Sequence, residues 1–93
     1  MVRHYIVKGR VQGVGFRWLV HREAGVRGLK GWVRNTDAGE VEIMVAGSEE
    51  KLAELRAVLE QGSRGSRVDA VQERHMEEAM ADGLESFQIE GAW

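Results

Sequence analysis

Two stretches of this 93-residue chain carry side chains whose type and spacing suit chemistry on an anion. The first, Gly9-Arg10-Val11-Gln12-Gly13-Val14-Gly15-Phe16-Arg17, sets three glycines ahead of an arginine. Backbone amides of such a loop converge on an anion, and a helix starting just after it adds its dipole. Arg17 offers a planar, permanently charged fork that matches two phosphoryl oxygens. A Walker A loop would need Lys-Ser or Lys-Thr where Phe16-Arg17 stands, and a dinucleotide fingerprint would need glycine where Trp18 stands, so both are excluded. The second stretch is centred on Asn35. Its carboxamide accepts one hydrogen bond while donating another, so it can hold a water in line with a phosphorus without acting as a base. Each stretch also has a plainer reading. The loop can be a tight turn with a solvent-facing arginine, and Asn35-Thr36-Asp37-Ala38-Gly39 is turn chemistry in any case.

The elements that must position these residues follow from hydrophobic spacing. Residues 2–8 read as a strand that buries both faces in part. Phe16, Leu19, Val20 and Ala24 form one apolar helix face, which should end between Gly25 and Gly28. A second strand runs from Leu29 to Asn35, with Leu29 and Val33 on one side and Trp32 on the other. The turn 36–39 leads to the cleanest alternation in the chain, where Val41, Ile43 and Val45 face inward and the glutamates face water. Ser48 is a good N-cap, Glu49 and Glu50 suit a first turn, Leu52, Leu55 and Leu59 line the helix, and Gly62 ends it. A polar stretch over 61–67 precedes a fourth strand near Val68 to Glu77. The polar segment 78–83 then leads to a short last strand, Phe87 to Ile89.

The order β-α-β-β-α-β predicts an α+β domain over residues 1–93. It is a ferredoxin-like sandwich with two helices on one face of a four-stranded antiparallel sheet, plus a short C-terminal strand. In that topology the first and second strands point the same way and end at one edge of the sheet. The glycine loop and Asn35 are therefore expected to be neighbours in space.

Composition narrows the class. There is no cysteine, so a disulfide scaffold and thiolate chemistry are out. The three histidines, His4, His21 and His75, are too scattered for a metal site. No run approaches the length of a membrane span, and the N-terminus opens into a strand pattern rather than a signal peptide, so an intracellular, cytoplasmic protein is expected. Net charge is only −2, too small to suggest a nucleic-acid partner. The charge is unevenly spread, with eight basic and four acidic residues in 1–47 against five and eleven in 48–93. A positive half can steer a small anion toward a site, though a solvated surface accounts for the imbalance as well.

The run from Gly9 to Arg17 resembles the first motif of the acylphosphatase family, and Gly31-Trp32-Val33-Arg34-Asn35, followed by Gly39, Val41 and Gly47, resembles the second. The resemblance covers nearly the whole chain. It implies a small, cofactor-free and metal-free hydrolase that cleaves the carboxyl–phosphate bond of acyl phosphates. Inorganic phosphate would be product and competitor, and the enzyme a monomer needing neither nucleic acid nor membrane. On the matching positions, Arg17 is the phosphate-binding catalytic arginine and Asn35 orients the nucleophilic water. The backbone of Val11, Gln12, Gly13, Val14, Gly15 and Phe16 completes the phosphate cradle.

Three features depart from the family pattern. Asp37 comes one place early in the turn, the 61–67 stretch lacks a proline, and the chain ends on Trp93, where burial of the ring or a carboxyl-terminal contact could compensate. Other residues carry less. His21 reads as an exposed or partly packed helix residue, Trp18 and Trp32 as packing residues, and Thr36 as either a support to Asn35 or a turn residue. Arg10 and Arg34 flank the site and could raise its potential. The rival class is a non-enzymatic ferredoxin-like module binding a small ligand or phosphate. An RNA-binding version would show aromatics on the open face of the sheet, where the third strand offers glutamates instead. Related domains also open larger maturation proteins that handle carbamoyl phosphate, and the free-standing form is expected here.

Overall fold

A computed structural model describes residues 1–91; Trp93, whose burial was an open question, lies outside them. Strand β1 (Val2–Arg10) is followed by helix α1 (Phe16–Val26), strands β2 (Lys30–Asn35) and β3 (Val41–Ala46), helix α2 (Glu49–Gln61), strand β4 (Arg67–Met76), a 3-10 turn (Glu78–Ala81) and strand β5 (Phe87–Ile89). The order in the sheet is β4-β1-β3-β2-β5. Four strands pair antiparallel, while β5 joins β2 in parallel, so the short last strand makes the sheet five-stranded and mixed.

The core lies between the sheet and the two helices. Tyr5, Val7, Val33, Val41, Ile43 and Val45 face Phe16, Val20 and Ala24 of α1 and Leu52, Leu55 and Leu59 of α2, and all are almost fully buried. The i, i+3/i+4 spacing of the helical set and the period of two in β3 put these side chains on single faces, which is why the pattern was readable. Burying a Leu, Ile or Phe side chain contributes roughly 1.5–3 kcal/mol each, so this layer is the main source of stability. Leu29 belongs to the core but precedes β2, which begins at Lys30.

Gly31 shows why glycine stands in the second motif. Its φ is +150°, and a Cβ there would lie 1.9 Å from the Met44 carbonyl oxygen of the paired strand. Only a residue without a side chain lets β2 and β3 approach at this point.

Because β1 and β2 both pair antiparallel with β3, they run in the same direction. Their C-terminal ends, Arg10 and Asn35, therefore close on the same edge of the sheet, with the 11–15 loop beside the β2–β3 turn. Among the described residues, no helix is long and apolar enough to cross a membrane.

Candidate active site

At that edge a cavity of about 70 Å³ is lined by Val11, Gly13, Gly15, Phe16, Arg17, Trp18 and Asn35. One water needs on the order of 10–15 Å³, so the space suits a small polyatomic anion with a water beside it. Phe16 and Val11 are buried and form its floor from the core side.

Helix α1 begins at this cavity. Gly15 occupies the N-cap position at φ 76°, ψ 14°, a left-handed conformation that glycine adopts without steric cost, and no side chain caps the helix. The first-turn amides of an α-helix have no partner inside the helix, so here they are left for something else to satisfy. Arg17 sits in that first turn, where the helix dipole disfavours a cation and favours an anion. Its Nη1 donates to the Glu90 carbonyl oxygen at 3.1 Å, which ties the guanidinium to the segment after β5.

Asn35 is the last residue of β2, paired with Val41. Its Oδ1 is buried, and among the described residues it is the side-chain oxygen or nitrogen left buried without a hydrogen-bond partner. Such an atom costs about 1–3 kcal/mol unless something meets it, so its place in the wall of a polar cavity calls for a water or ligand donor. The turn that carries Asp37 is closed by its own hydrogen bonds. The Thr36 amide donates to the Glu40 carbonyl at 2.9 Å, and the Gly39 amide donates back to Thr36 at 3.2 Å. Thr36 Oγ1 accepts from the Glu40 amide at 3.2 Å, so Thr36 acts as a turn residue.

Two side chains hold the glycine loop from either side. Gln12 Nε2 donates to the carbonyl oxygens of both Thr36 and Glu40, at 2.8 Å each, and fastens the loop to the turn beyond Asn35. Ser63 Oγ donates to the Val14 carbonyl at 3.1 Å, and Ser66 Oγ to the Ser63 carbonyl at 2.7 Å. The proline-free 61–67 stretch is thus braced by serine hydroxyls. Sequence reasoning placed Gln12 and Val14 in the cradle through their backbones. Their side chains serve elsewhere: that of Gln12 bridges loop and turn, and that of Val14 packs on the core. The positioning roles of Gln12 and Ser63 went unseen, since nothing in local spacing tells that residues 24 and 49 positions away will lie alongside.

The expectation that Trp18 is a packing residue is corrected: its surface is 53% exposed. Two positions beyond Phe16 is about 200° around the helix, so a residue there faces away from the core. Trp18 instead forms part of the cavity rim, with its ring edge-to-face against His21 at 5.9 Å. His21 is partly packed, 6.4 Å from the Phe87 ring.

Of the flanking arginines, Arg34 is engaged elsewhere. Its Nε donates to Glu42 at 2.7 Å and its guanidinium lies 4.8 Å from the Trp32 ring centroid. Glu42 also meets His4 Nε2 at 2.7 Å. Burial alone would push the Glu42 carboxyl up, but the hydrogen bonds from His4 and Arg34 outweigh it and hold the pKa below the usual range. This cluster lies on the open face of the sheet, opposite the inward valines, and compensates the Arg34 charge. Among the described residues, no group of three His, Cys, Asp or Glu is placed to hold a metal ion.

A ferredoxin-like sandwich whose uncapped helix start, arginine and unsatisfied carboxamide share one small cavity defines a phosphoryl-handling protein. Comparison with known proteins is specific on the point. The acylphosphatase family model matches residues 3–89. An acylphosphatase of Koribacter versatilis is 50% identical over 92 residues, covering 98% of this chain and 81% of that one. The crystal structure of acylphosphatase from Bacillus subtilis superposes with a TM-score of 0.83 at 41% identity, covering 98% of this chain and all of that one. The HypF protein of T. kodakarensis contains a similar part, with TM-score 0.82 and 29% identity over 99% of this chain but 12% of its own. The chain belongs to the acylphosphatase family. It is a hydrolase of acid anhydrides that splits acyl phosphates into a carboxylate and inorganic phosphate.

Proposed function

We propose that Arg17 and the amides of the Val11–Phe16 loop hold the phosphoryl group, and that Asn35 holds the attacking water. The observation that carries this reading is the buried, unpartnered Asn35 Oδ1 in a cavity that it shares with Arg17 and the start of α1. In the reaction the water oxygen bonds to phosphorus, and the bond from phosphorus to the acyl oxygen breaks. The electron pair of that bond stays with the leaving carboxylate, and the proton of the water ends on phosphate. A carboxylate leaves readily, so no general acid is required. The phosphoryl transition state asks chiefly for stabilised charge and an aligned nucleophile. Arg17 and the loop amides meet the first demand and Asn35 meets the second, with no metal or cofactor in the scheme. Gln12 and Ser63 act one step back, by keeping the loop in place.

The reading extends to residues 1–93 working as a single domain, a cytoplasmic monomer that engages neither nucleic acid nor membrane. A net charge of −2 and the Glu42 cluster on the open sheet face support its indifference to nucleic acid.

Hydrolysis of an aromatic acyl phosphate in excess chelator, with inorganic phosphate as competitor, tests the assignment. Arg17→Ala is expected to lose about 10³-fold in kcat/KM together with phosphate inhibition. Asn35→Ala is expected to lose about 10²-fold or more in turnover while inorganic phosphate still binds. Full activity in Asn35→Ala would remove the water-holding role. Phosphate binding without any turnover in the unsubstituted protein would favour a phosphate-binding module.

A further inference from the structure

Asn35 stands where the sheet gives β2 least support. Among the described residues, β5 pairs with Gly31, Trp32 and Val33 and goes no further. Arg34 and Asn35 are therefore paired on one side, to Glu42 and Val41 of β3. Over these two residues β2 is an edge strand, and backbone with fewer partners opens at a lower free-energy cost. An in-line water nevertheless has to be aimed closely, since small misplacements of a reacting group cost rate steeply. Something besides the ladder must fix the end of this strand.

Beyond Asn35 that hold is Gln12, through the Thr36 and Glu40 carbonyls. Before Asn35, on the open face of the sheet, it is Glu42. One of its carboxylate oxygens accepts from Arg34 Nε at 2.7 Å, and the other meets His4 Nε2 at 2.7 Å. With both oxygens engaged, the carboxylate cannot turn without losing a partner. The His4 and Glu42 side chains are only 14% and 18% exposed, so their contact is screened less than a surface pair. Arg34 is steadied further by the Trp32 ring, 4.8 Å below its guanidinium carbon. The contacts run from β1 through β3 to β2, all interior strands of the sheet, and end one residue short of Asn35. Glu42, Arg34 and Asn35 also line one groove of about 340 Å³, so the clamp lies beside the site.

We infer that Glu42 is a positioning residue for the reaction: held by His4, it grips Arg34 and fixes the strand end that aims the Asn35 carboxamide. The inference rests on reading Asn35 as the holder of the attacking water. Phosphate binding belongs to Arg17 and the loop in that reading, so the loss of Glu42 is felt in turnover alone.

The test measures kcat with an aromatic acyl phosphate and the inhibition constant of inorganic phosphate in each variant. In Glu42→Ala, kcat is expected to fall about 10-fold, the scale of a sub-ångström misplacement, with the phosphate constant changed less than about twofold. Arg34→Ala alters a half-exposed side chain and leaves the core intact. It is expected to lower kcat about as much, and the double variant no further, because both substitutions remove the same contact. In an Asn35→Ala background, Glu42→Ala should cost nothing more, since the group it aims is gone. Unchanged kcat in a folded Glu42→Ala or in Arg34→Ala would overturn the positioning role. So would an equal loss of phosphate affinity, or a further loss of kcat in the Asn35→Ala background. The parent reading fails separately: Asn35→Ala alone would then keep full turnover, whatever the Glu42 variants do.

Discussion

Helix α2 starts behind Ser48, whose hydroxyl accepts from the Lys51 amide at 3.2 Å, and carries Glu49 and Glu50 in its first turn. Helix α1 starts behind a left-handed glycine with no side-chain cap, and carries Arg17 in its first turn. The two helices pack on the same sheet and fill the same core, yet their N-termini obey opposite rules. At α2 the sequence satisfies its own amides and complements the dipole, which contributes to folding. At α1 no side chain caps the first turn and a cation sits at the positive end, an arrangement whose favourable partner is an anion. Local rules of helix design are broken at the start of the helix that borders the cavity, as is usual for functional sites.

If the contrast is sound, supplying a carboxylate to α1 should be far more harmful than removing the cap from α2. Gly15→Asp puts a negative group beside Arg17, in the field meant for the substrate. It should lower kcat/KM about 100-fold and abolish competition by inorganic phosphate, while the left-handed backbone adds a folding cost of about 1–2 kcal/mol. Steady-state kinetics alongside chemical denaturation separates the two effects. A smaller change is expected on loosening the loop rather than filling it. Gln12→Ala removes both hydrogen bonds to the Thr36 and Glu40 carbonyls, and a displacement of even 1 Å at a catalytic loop can cost up to 10²-fold. A loss of about 10-fold in turnover, with the melting temperature little altered, would identify Gln12 as a positioning residue. The smallest effect falls on α2. Ser48→Ala should lose about 1 kcal/mol of stability in a urea titration and leave kcat/KM unchanged. A Ser48→Ala enzyme impaired in turnover but not in stability would erase the distinction drawn between the two helix starts.

Much of this was legible before any coordinates, for a definite reason. Periodicity is a local property, so Val41-Ile43-Val45 and Leu52-Leu55-Leu59 announced their buried faces directly. Cap and turn residues are equally local, so Ser48, Gly62 and the 36–39 turn stood where the structure has them. From that order of elements the shared edge of β1 and β2 followed by topology alone, which brought Arg17 and Asn35 together in principle. The resemblance to a known family then attached a chemistry to them.

Other features depend on long-range placement and were not visible. Trp18 was misjudged because a tryptophan two positions past a core residue is apolar in composition but outward in direction, and only the packed helix shows which. The parallel pairing of β5 with β2 requires knowing which sheet edge remains open once β1, β3 and β4 have paired. Gln12 meets the Thr36 and Glu40 carbonyls, and Ser63 meets Val14, across chain separations that no short-range pattern encodes. The amino-acid sequence by itself determined the elements, the core faces and the pair of residues fit for phosphoryl chemistry, because these rest on spacing within a few residues. The tertiary structure decided which loop residues line the cavity and what holds the loop in place. Those are distances between segments far apart in the chain, and they exist only once the sheet has closed.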